Sequence, residues 1–240
     1  MRSFIKKIFN PIFKLREELN DFNKFKTEKE FYTGISYGQN FEDLVFSLVC
    51  NKKNGFYVDV GAHNPIRFSN TYNLNKKGWS GINIDPLPEC MPLFNKLRPN
   101  DINLNIGIST TKGLLTYYSF IEPAYNTLSS TRATEILENK WTELKEEIKV
   151  PVDTLENVFD KYLNNRDIDL LTIDVETKEL EVLKSNNWDK YNPNYIIMES
   201  LVNHDESLNN IYKDKAVKFL CNHDYIVIAK VANAIFLKKL

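Results

Sequence analysis

The alternation of apolar and polar positions along the chain predicts strands that alternate with helices. Short apolar runs, which are typical of buried strands, cover residues 55–61, 80–86, 101–108, 168–175 and 195–199. Segments with helical spacing or composition cover residues 41–50, 69–77, 88–97, 179–185 and 208–221. This order predicts an α/β fold with a mostly parallel sheet and helices on both faces.

The middle and the end of the chain depart from this order. Residues 114–120 are predicted to form an additional strand, and residues 134–147 a charged helix. Asp153 is a candidate N-cap for the helix that follows it. Two final runs, residues 225–229 and 234–237, predict a hairpin, which would add an antiparallel strand to the sheet.

The chain is expected to divide into a polar, charged helical leader, residues 1–34, and one α/β domain, residues 35–240. Within residues 1–19, basic residues are interspersed with apolar ones, and no small-residue cleavage site follows, so a signal peptide is a poor fit. The segment could lie on an anionic membrane surface, but we favour a helix that packs on the domain or frays in solution. No apolar run approaches the ~20 residues that a membrane span needs.

Composition and charge narrow the function classes. The 240 residues include 31 basic and 32 acidic side chains, so the net charge is −1. A balanced chain has no overall field to attract nucleic acid, and we expect no nucleic-acid partner. Cys50, Cys90 and Cys221 are far apart and form no CxxC, which argues against a disulfide framework or a cysteine zinc site. We therefore expect reduced thiols in a cytoplasmic protein, with contact at the inner membrane surface as the alternative.

Candidate chemistry lies where the first two strands end, because ligands of open parallel sheets bind beyond the carboxyl ends of the strands. The first strand ends in Asp59-Val60-Gly61 and the second in Asp85, 24 residues after Gly61, a spacing at which a carboxylate can hold ribose hydroxyls. The loop has one glycine rather than GxGxxG, and His63 and Pro65 follow it. This disfavours a pyrophosphate and favours a nucleoside without phosphates, such as S-adenosylmethionine. A tight turn capped by Asp59 is the alternative for the loop taken alone.

Several segments form an ordered set of motifs over roughly residues 35–200. They are Ser36–Leu44 (SYGQNFEDL), Phe56–Ala62 (FYVDVGA), Ser69–Tyr72, Gly78–Ile82, Val152–Leu155 (VDTL) and Ile168–Glu176 (IDLLTIDVE). In this set the chain resembles the FkbM-type S-adenosylmethionine-dependent methyltransferases. The resemblance implies a Rossmann-like methyltransferase domain and O-methylation, often of sugars or secondary metabolites. The implied acceptor is a sugar hydroxyl of a cell-surface polysaccharide or its precursor.

The resemblance also implies roles for individual residues. The candidate cofactor-binding residues are Gln39, Asp43, Asp59, Gly61, Ala62, Asn70, Thr71 and Asp85. Asp59, Gly61 and Ala62 would line the methionine end of S-adenosylmethionine. Asp85 would hold its ribose. The segment around Gln39 and Asp43 would lie over the cofactor. Asn70 and Thr71 could contact either the cofactor or the acceptor. For each polar residue, a helix cap or a turn hydrogen bond is the alternative role.

The chain departs from the family pattern at two places. Thr177 stands where the family usually has glycine after Asp-Val-Glu, and His63-Asn64-Pro65 stands where many members carry Asn and Gly. A β-branched residue does not readily adopt positive φ, so we expect the loop at Thr177 to follow a different path or not to need glycine. This change concerns the acceptor pocket more than the cofactor site.

The candidate catalytic residues are Asp174, Glu176 and His63. Asp174 and Glu176 end the fourth predicted strand of the sheet, and strand alternation directs both to the same side. A carboxylate there can take the proton of an acceptor hydroxyl, or the pair could bind a divalent cation that acidifies it. Glu199 and His204 follow the next strand and could join them. We favour a base without a metal, because no compact His and carboxylate ligand motif appears, and we predict no metal site.

Two other functions stay open at this point. A nicotinamide-dependent oxidoreductase could have a similar sheet, although its glycine loop would need more glycine than this one has. A non-catalytic binding module could have kept the fold, and the altered position Thr177 is consistent with that.

Overall fold

The computed structural model describes residues 35–201 and 208–240, within the compact unit Ser36–Leu240. Its strands are β1 (Phe56–Val60), β2 (Ser80–Ile84), β3 (Ile102–Leu104), β4 (Gly107–Ile108), β5 (Gly113–Phe120), β6 (Leu144–Asp153), β7 (Leu170–Ile173), β8 (Tyr195–Glu199), β9 (Tyr225–Val231) and β10 (Ala234–Lys239). Its α-helices are α1 (Glu42–Val49), α2 (Tyr72–Lys76), α3 (Met91–Leu97), α4 (Ser130–Glu138), α5 (Leu155–Tyr162), α6 (Glu179–Lys184) and α7 (Lys215–Cys221). Short 3₁₀ helices cover Pro123–Tyr125 and Leu208–Lys213.

Seven strands form the main sheet in the order β3-β2-β1-β7-β8-β10-β9. Neighbouring strands are parallel in the first part of this order, which comprises β3, β2, β1, β7 and β8. Strands β10 and β9 complete the sheet as an antiparallel hairpin. The chain moves outward from β1 to β3 and later returns to the other side of β1 with β7, which creates a switch point between β1 and β7. The predicted fold class, a mostly parallel Rossmann-like sheet with a C-terminal hairpin and helices on both faces, is confirmed.

Residues of the central strands alternate between two apolar layers, because successive side chains of a strand point to opposite faces. On one face, Val58 and Ile173 belong to a buried cluster that includes residues of α5, α6 and α7. On the other face, Tyr57 and Leu170 pack in a cluster with Phe46 of α1. Each large apolar side chain contributes about 1.5–3 kcal/mol when buried. A register shift would exchange the two faces, so this burial fixes which strand ends lie side by side.

A smaller sheet has the order β4-β6-β5 and lies outside the predicted alternation. The expectation of one strand over residues 101–108 is wrong: β3 pairs with β2 in the main sheet, whereas β4 pairs with β6 in the small sheet. An apolar run with period two specifies a strand but not its partner, so the sequence pattern could not reveal the change of sheet.

The predicted charged helix over residues 134–147 is right only over residues 134–138. Helix α4 covers Ser130–Glu138 and is capped by Ser129, whose Oγ accepts a hydrogen bond from the backbone N of Arg132 at 3.2 Å. Lys140 then has φ 56°, and the chain continues into β6, which pairs with β5. The Lys and Glu side chains of β6 have a high helix propensity, but antiparallel pairing with β5 overrides it.

Asp153 is not the N-cap that the sequence indicates, since it is the last residue of β6. The cap of α5 is Thr154, whose Oγ1 accepts from the backbone N of Asn157 at 3.1 Å. Asp153 supports the same turn from one position earlier, because its Oδ1 accepts from the Nδ2 of Asn157 at 2.7 Å. A second short polar residue before a helix makes the capping position ambiguous in sequence.

Two sequence predictions lie outside the described residues: the helical leader, residues 1–34, and His204. The boundary between leader and domain and the membrane-surface alternative for residues 1–19 therefore stay predictions. None of the helices in the described ranges is long and apolar enough to cross a membrane.

Candidate functional site

A cavity opens at the carboxyl edge of the main sheet, at the switch point between β1 and β7. Gly61, Asp85 and Asp174, which follow β1, β2 and β7, line the side formed by the sheet. Other parts of the lining come from β4 and from residues 113–138 (β5, α4 and the segment between them), which we call the cap. The cap contributes Tyr117, Pro123, Ala124 and residues 126–128. Three predicted site residues thus meet at the edge where parallel sheets bind ligands.

Gly61 allows two strand ends to come together. It has φ +80°, and a Cβ atom there would lie 1.7 Å from the backbone carbonyl oxygen of Asp174. The backbone N–H groups of Gly61 and Ala62 donate to the carbonyl oxygen of Ile84 at 2.9 and 3.1 Å. Only glycine can adopt this backbone conformation and fit into this space. The main chain of Gly61 is part of the cavity wall.

Asp85 presents its carboxylate to the cavity from the end of β2. Its Oδ2 accepts a hydrogen bond from the backbone N of His63, and its Oδ1 accepts from the backbone N of Leu87, both at 2.8 Å. Burial raises the pKa of Asp85 to about 6, while these two hydrogen bonds oppose the rise. The carboxylate is therefore mostly ionised at neutral pH, and each oxygen keeps a lone pair for a ligand hydroxyl.

His63 also lines the cavity, as the sequence predicts. It has φ 52°, its ring stacks on Phe68 at 6.2 Å between centroids, and its Nε2 lies 3.3 Å from Nη1 of Arg67. Burial and the positive charge of Arg67 lower the pKa of His63 below its ordinary value. The imidazole is therefore neutral at neutral pH and can accept a proton.

Gln39 and Asn70 lie at a smaller polar cavity behind Asp174. Gln39 lines both this cavity and the main one, whereas Asn70 lines only the smaller one, together with Glu199. The Nδ2 of Asn70 donates to Oγ1 of Thr172 at 3.1 Å. A contact of Gln39 or Asn70 with the cofactor stays a prediction.

Asp59 and Thr71 lie outside the lining of both cavities. Thr71 Oγ1 donates to Asp59 Oδ2 at 2.6 Å and accepts from Nη1 of Arg98 at 2.7 Å. Burial raises the pKa of Asp59 to about 6. Arg98, which no sequence pattern distinguishes, also donates to Asn83 Oδ1 at 3.1 Å and to the carbonyl oxygen of Pro65. This buried network holds the loop after β1 against β2.

Asp43 and Ala62 likewise lie outside the cavity lining. Asp43 accepts from Ser36 Oγ at 2.5 Å and from the backbone N of Tyr37 at 2.8 Å, which fixes the segment before α1. Ala62 is buried in a small apolar cluster with Phe94 of α3. A direct contact of these residues, or of Asp59 and Thr71, with a cofactor stays a prediction.

Three carboxylates meet at the cavity wall. Asp174, Glu176 and Glu199 each have an oxygen that lies within 4.8 Å of the other two. Asp174 and Glu176 line the same cavity, but strand alternation does not place them there, because β7 ends at Ile173. Asp174 is exposed by surface area and lines both cavities, yet enough protein surrounds its carboxylate to desolvate it.

Burial and mutual repulsion perturb these carboxylates. Burial and the Glu199 and Glu176 carboxylates raise the pKa of Asp174 well above its ordinary range. Burial and Glu176 raise the pKa of Glu199 to about 8. Glu199 Oε1 accepts from Asn233 Nδ2 at 3.4 Å, and Glu199 Oε2 is buried with no hydrogen-bond partner in the described part of the chain. At neutral pH the group therefore needs a proton, a ligand hydroxyl or a cation to relieve the repulsion.

Two cap residues that the sequence analysis missed contact Glu176. Arg132 donates from Nε to Glu176 Oε2 at 3.0 Å, and its Nη2 lies 2.9 Å from the same oxygen. Thr127 Oγ1 donates to the backbone carbonyl oxygen of Glu176 at 3.1 Å. Neither residue belongs to a motif, and the helix that carries Arg132 was predicted with the wrong bounds, so no sequence signal could have found these contacts.

Thr177 corrects a sequence expectation. It has φ 83°, and Glu176 before it has φ 52°, so the turn after β7 has two consecutive left-handed residues and no glycine. The expectation that a β-branched residue would avoid positive φ here is wrong. Surrounding contacts hold the turn in a conformation that is costly for threonine.

Comparisons with known proteins place the cavity in context. The family model described as "Methyltransferase FkbM domain" matches residues 59–227. No curated protein sequence matches the chain. Among solved structures, a TehB-like SAM-dependent methyltransferase from Corynebacterium glutamicum is similar at 8% identity and a TM-score of 0.43, covering 94% of this chain and 100% of that one. A precorrin-6y C5,15-methyltransferase from Geobacter metallireducens is similar at 11% identity and a TM-score of 0.39, covering 83% and 87%.

Proposed function

Because the chain belongs to the FkbM methyltransferase family, we propose that it transfers a methyl group to a hydroxyl oxygen of a sugar in a cell-surface polysaccharide or its precursor. Family membership confirms the resemblance that the sequence motifs indicate and makes the chain a methyltransferase with S-adenosylmethionine as its cofactor. It decides against the nicotinamide-dependent alternative. Three features of the function are our proposal: an oxygen atom as the methyl acceptor, a sugar as the substrate, and the roles of individual residues.

The cavity suits S-adenosylmethionine, which supplies a methyl group on a positively charged sulfur when it is bound. Asp85 offers two carboxylate oxygens to ribose hydroxyls, and Leu87, Ile106 and Leu128 offer an apolar wall to a flat base. Asp174 and Glu176, which also line the cavity, favour a cationic sulfur by charge when they are ionised. The same carboxylates would repel a pyrophosphate.

The observation that carries O-methylation is the position of Asp174 and Glu176 in the wall of the cavity that Gly61 and Asp85 also line. Attack of a hydroxyl oxygen on a methyl group needs a group that takes the hydroxyl proton. Asp174 is our candidate base because it lines this cavity, and the neighbouring carboxylates that raise its pKa make it a stronger proton acceptor once it is ionised. Glu176 is our candidate for orienting the hydroxyl, and His63 for a second base at the same cavity.

A sugar is supported by the number of polar groups that face the cavity. Asp174, Glu176 and Gln39 offer oxygens that can accept hydrogen bonds from neighbouring hydroxyls. Asn126 adds a side-chain amide to the same lining. We place the reaction in the cytoplasm, where the expected reduced cysteines also place the chain; both stay predictions.

The test uses purified protein, S-adenosylmethionine with a ¹³C-labelled methyl group, and a panel of methyl glycosides, with O-methyl products detected by NMR. We expect Asp174→Asn and Glu176→Gln to lower turnover by about 10²–10⁴ while S-adenosylhomocysteine still binds. Glu138→Gln, an exposed carboxylate on α4, is the matched control.

Each proposed part can fail separately in this experiment. Full activity in both variants would remove Asp174 and Glu176 from the mechanism. Loss of activity with a chelator, and recovery with a divalent cation, would replace the base by a metal held by the carboxylates. Binding of S-adenosylhomocysteine without methylation of any glycoside would overturn the sugar acceptor.

A further inference from the structure

Glu176 is held at two points by the cap. Arg132 contacts its carboxylate through two nitrogens, at 3.0 and 2.9 Å, and Thr127 donates to its carbonyl oxygen at 3.1 Å. The arginine side chain is 8% exposed and that of Glu176 is 13% exposed, so solvent screens this ion pair weakly. The contact spans 44 residues of sequence and joins the cap to the turn after β7.

Glu176 needs such a hold for two reasons. One of its carboxylate oxygens lies within 4.8 Å of oxygens of Asp174 and Glu199, which repel it when they are ionised. Its backbone and that of Thr177 are both left-handed, with φ 52° and 83°, so the turn lacks the local preference that would fix the side chain. Burial raises the pKa of Glu176, and Arg132 opposes that rise.

The arginine has a second, weaker partner that serves as an internal comparison. Its Nη1 donates to Glu135 Oε2 at 2.9 Å, but the Glu135 side chain is 49% exposed. Trp141 covers the guanidinium group, with 5.0 Å between the ring centroid and the guanidinium carbon. The arginine is therefore fixed within the cap, and the Nε and Nη2 atoms of its guanidinium group face Glu176.

We propose that Arg132 is a positioning residue, which holds the Glu176 carboxylate at the cavity wall and thereby couples the cap to the site of methyl transfer. The transfer step of this inference rests on the proposed function, whereas the hold on Glu176 does not. Arg132 does not line the cavity itself and acts through Glu176. Lysine at this position would keep the charge but lose the two-nitrogen contact.

The hold is tested without any acceptor, by thermal unfolding of Arg132→Gln, Glu176→Gln and the double variant. We expect each single change to lower Tm by about 5–10 °C, because one partner of a buried ion pair is left uncompensated. The double variant should lose little more than one single variant. Glu135→Gln should lower Tm by less than about 2 °C. Additive losses at Arg132 and Glu176 would overturn the proposal.

The effect on transfer is tested with the methyl glycosides. We expect Arg132→Gln to lower kcat by about 10–100-fold through misplacement of Glu176, with affinity for S-adenosylhomocysteine within about 2-fold of wild type. Arg132→Lys should recover part of that loss, and Glu135→Gln should match wild type. Unchanged kcat in Arg132→Gln would make the contact purely structural and overturn its role in transfer. A wild type that methylates no glycoside would instead overturn the acceptor, and the unfolding result would then decide the proposal.

Discussion

Gly61 and Asp174 are in contact through their main chains: the carbonyl oxygen of Asp174 occupies the place where a side chain on Gly61 would begin. The two residues follow β1 and β7, the strands on either side of the switch point. Their contact brings the ends of these two strands together at the wall of the cavity. The glycine of the first motif is therefore required by the neighbouring strand as well as by its own φ of +80°.

Gly61→Ala is expected to damage both stability and cofactor binding. The new Cβ would lie 1.7 Å from a backbone atom, so the end of β7 must move and carry Asp174 with it. We expect a loss of about 2–4 kcal/mol in the free energy of unfolding and at least about a 10-fold loss in S-adenosylhomocysteine affinity. Urea unfolding and calorimetry measure the two effects. Gly113→Ala is the control, since no atom lies within 4 Å of its added Cβ, and equal damage there would contradict the argument.

Asp85 should make cofactor binding dependent on pH. The pKa of about 6 means that the carboxylate takes up a proton as pH falls below 6, and the protonated form loses one acceptor oxygen. We expect wild type to bind S-adenosylhomocysteine about 10-fold more weakly at pH 5 than at pH 7. Asp85→Asn should bind about 10–100-fold more weakly at pH 7, the scale of a hydrogen bond to a charged group, and should lose the pH dependence. A variant that keeps the wild-type pH profile would remove Asp85 from the ribose.

The sequence predicted the ends of the strands well, for a physical reason. Buried strands of a parallel sheet are apolar runs, and the polar residue or glycine that stops each run lies at the edge where ligands bind. Gly61, His63, Asp85, Asp174 and Glu176 were found in this way, and all line the cavity. The sequence analysis missed the hydrogen bond of Asp59 with Thr71. Side chains alternate along a strand, so Asp59 lies on the same face of β1 as Tyr57 and on the opposite face from Val58 and Val60.

Strand β5 of the cap was predicted from the sequence, but the contacts of the cap could not be. Strand β6, which pairs with β5, is largely exposed and carries Lys and Glu, so its apolar period is weak and its helix propensity is misleading. The hold of Arg132 on Glu176 depends on that tertiary arrangement, because 44 residues separate the two in sequence. Long-range polar contacts of this kind have no local pattern.

Thr177→Gly is expected to stabilise the protein. Threonine is sterically strained at φ 83°, and glycine would remove that strain. Glycine would also raise the entropy of the unfolded chain, which opposes part of the gain. We expect a net gain of about 1 kcal/mol, or a Tm increase of about 2–4 °C. Thr177→Ala removes the β-branch but keeps a side chain at positive φ, so its gain should be smaller. A lower Tm for Thr177→Gly would show that threonine contacts outweigh the strain.

The last prediction concerns the pH dependence of stability through Glu199. Burial and Glu176 raise its pKa from an ordinary value of 4.5 to about 8 in the folded protein. Between these values the folded state binds more protons than the unfolded state, so this group's contribution is complete below pH 4.5 and is lost as pH rises through 8. Glu199→Gln, which stays neutral, should therefore match wild type at pH 5 and exceed it by about 1–2 kcal/mol at pH 8, as measured by urea unfolding. Glu89→Gln is the control, because the pKa of that exposed carboxyl is lowered by its hydrogen bond to Lys145, and its removal should give no gain at pH 8. A Glu199→Gln protein that is no more stable than wild type at pH 8 would mean that the carboxylate is compensated there, by a bound cation or by rearranged neighbours.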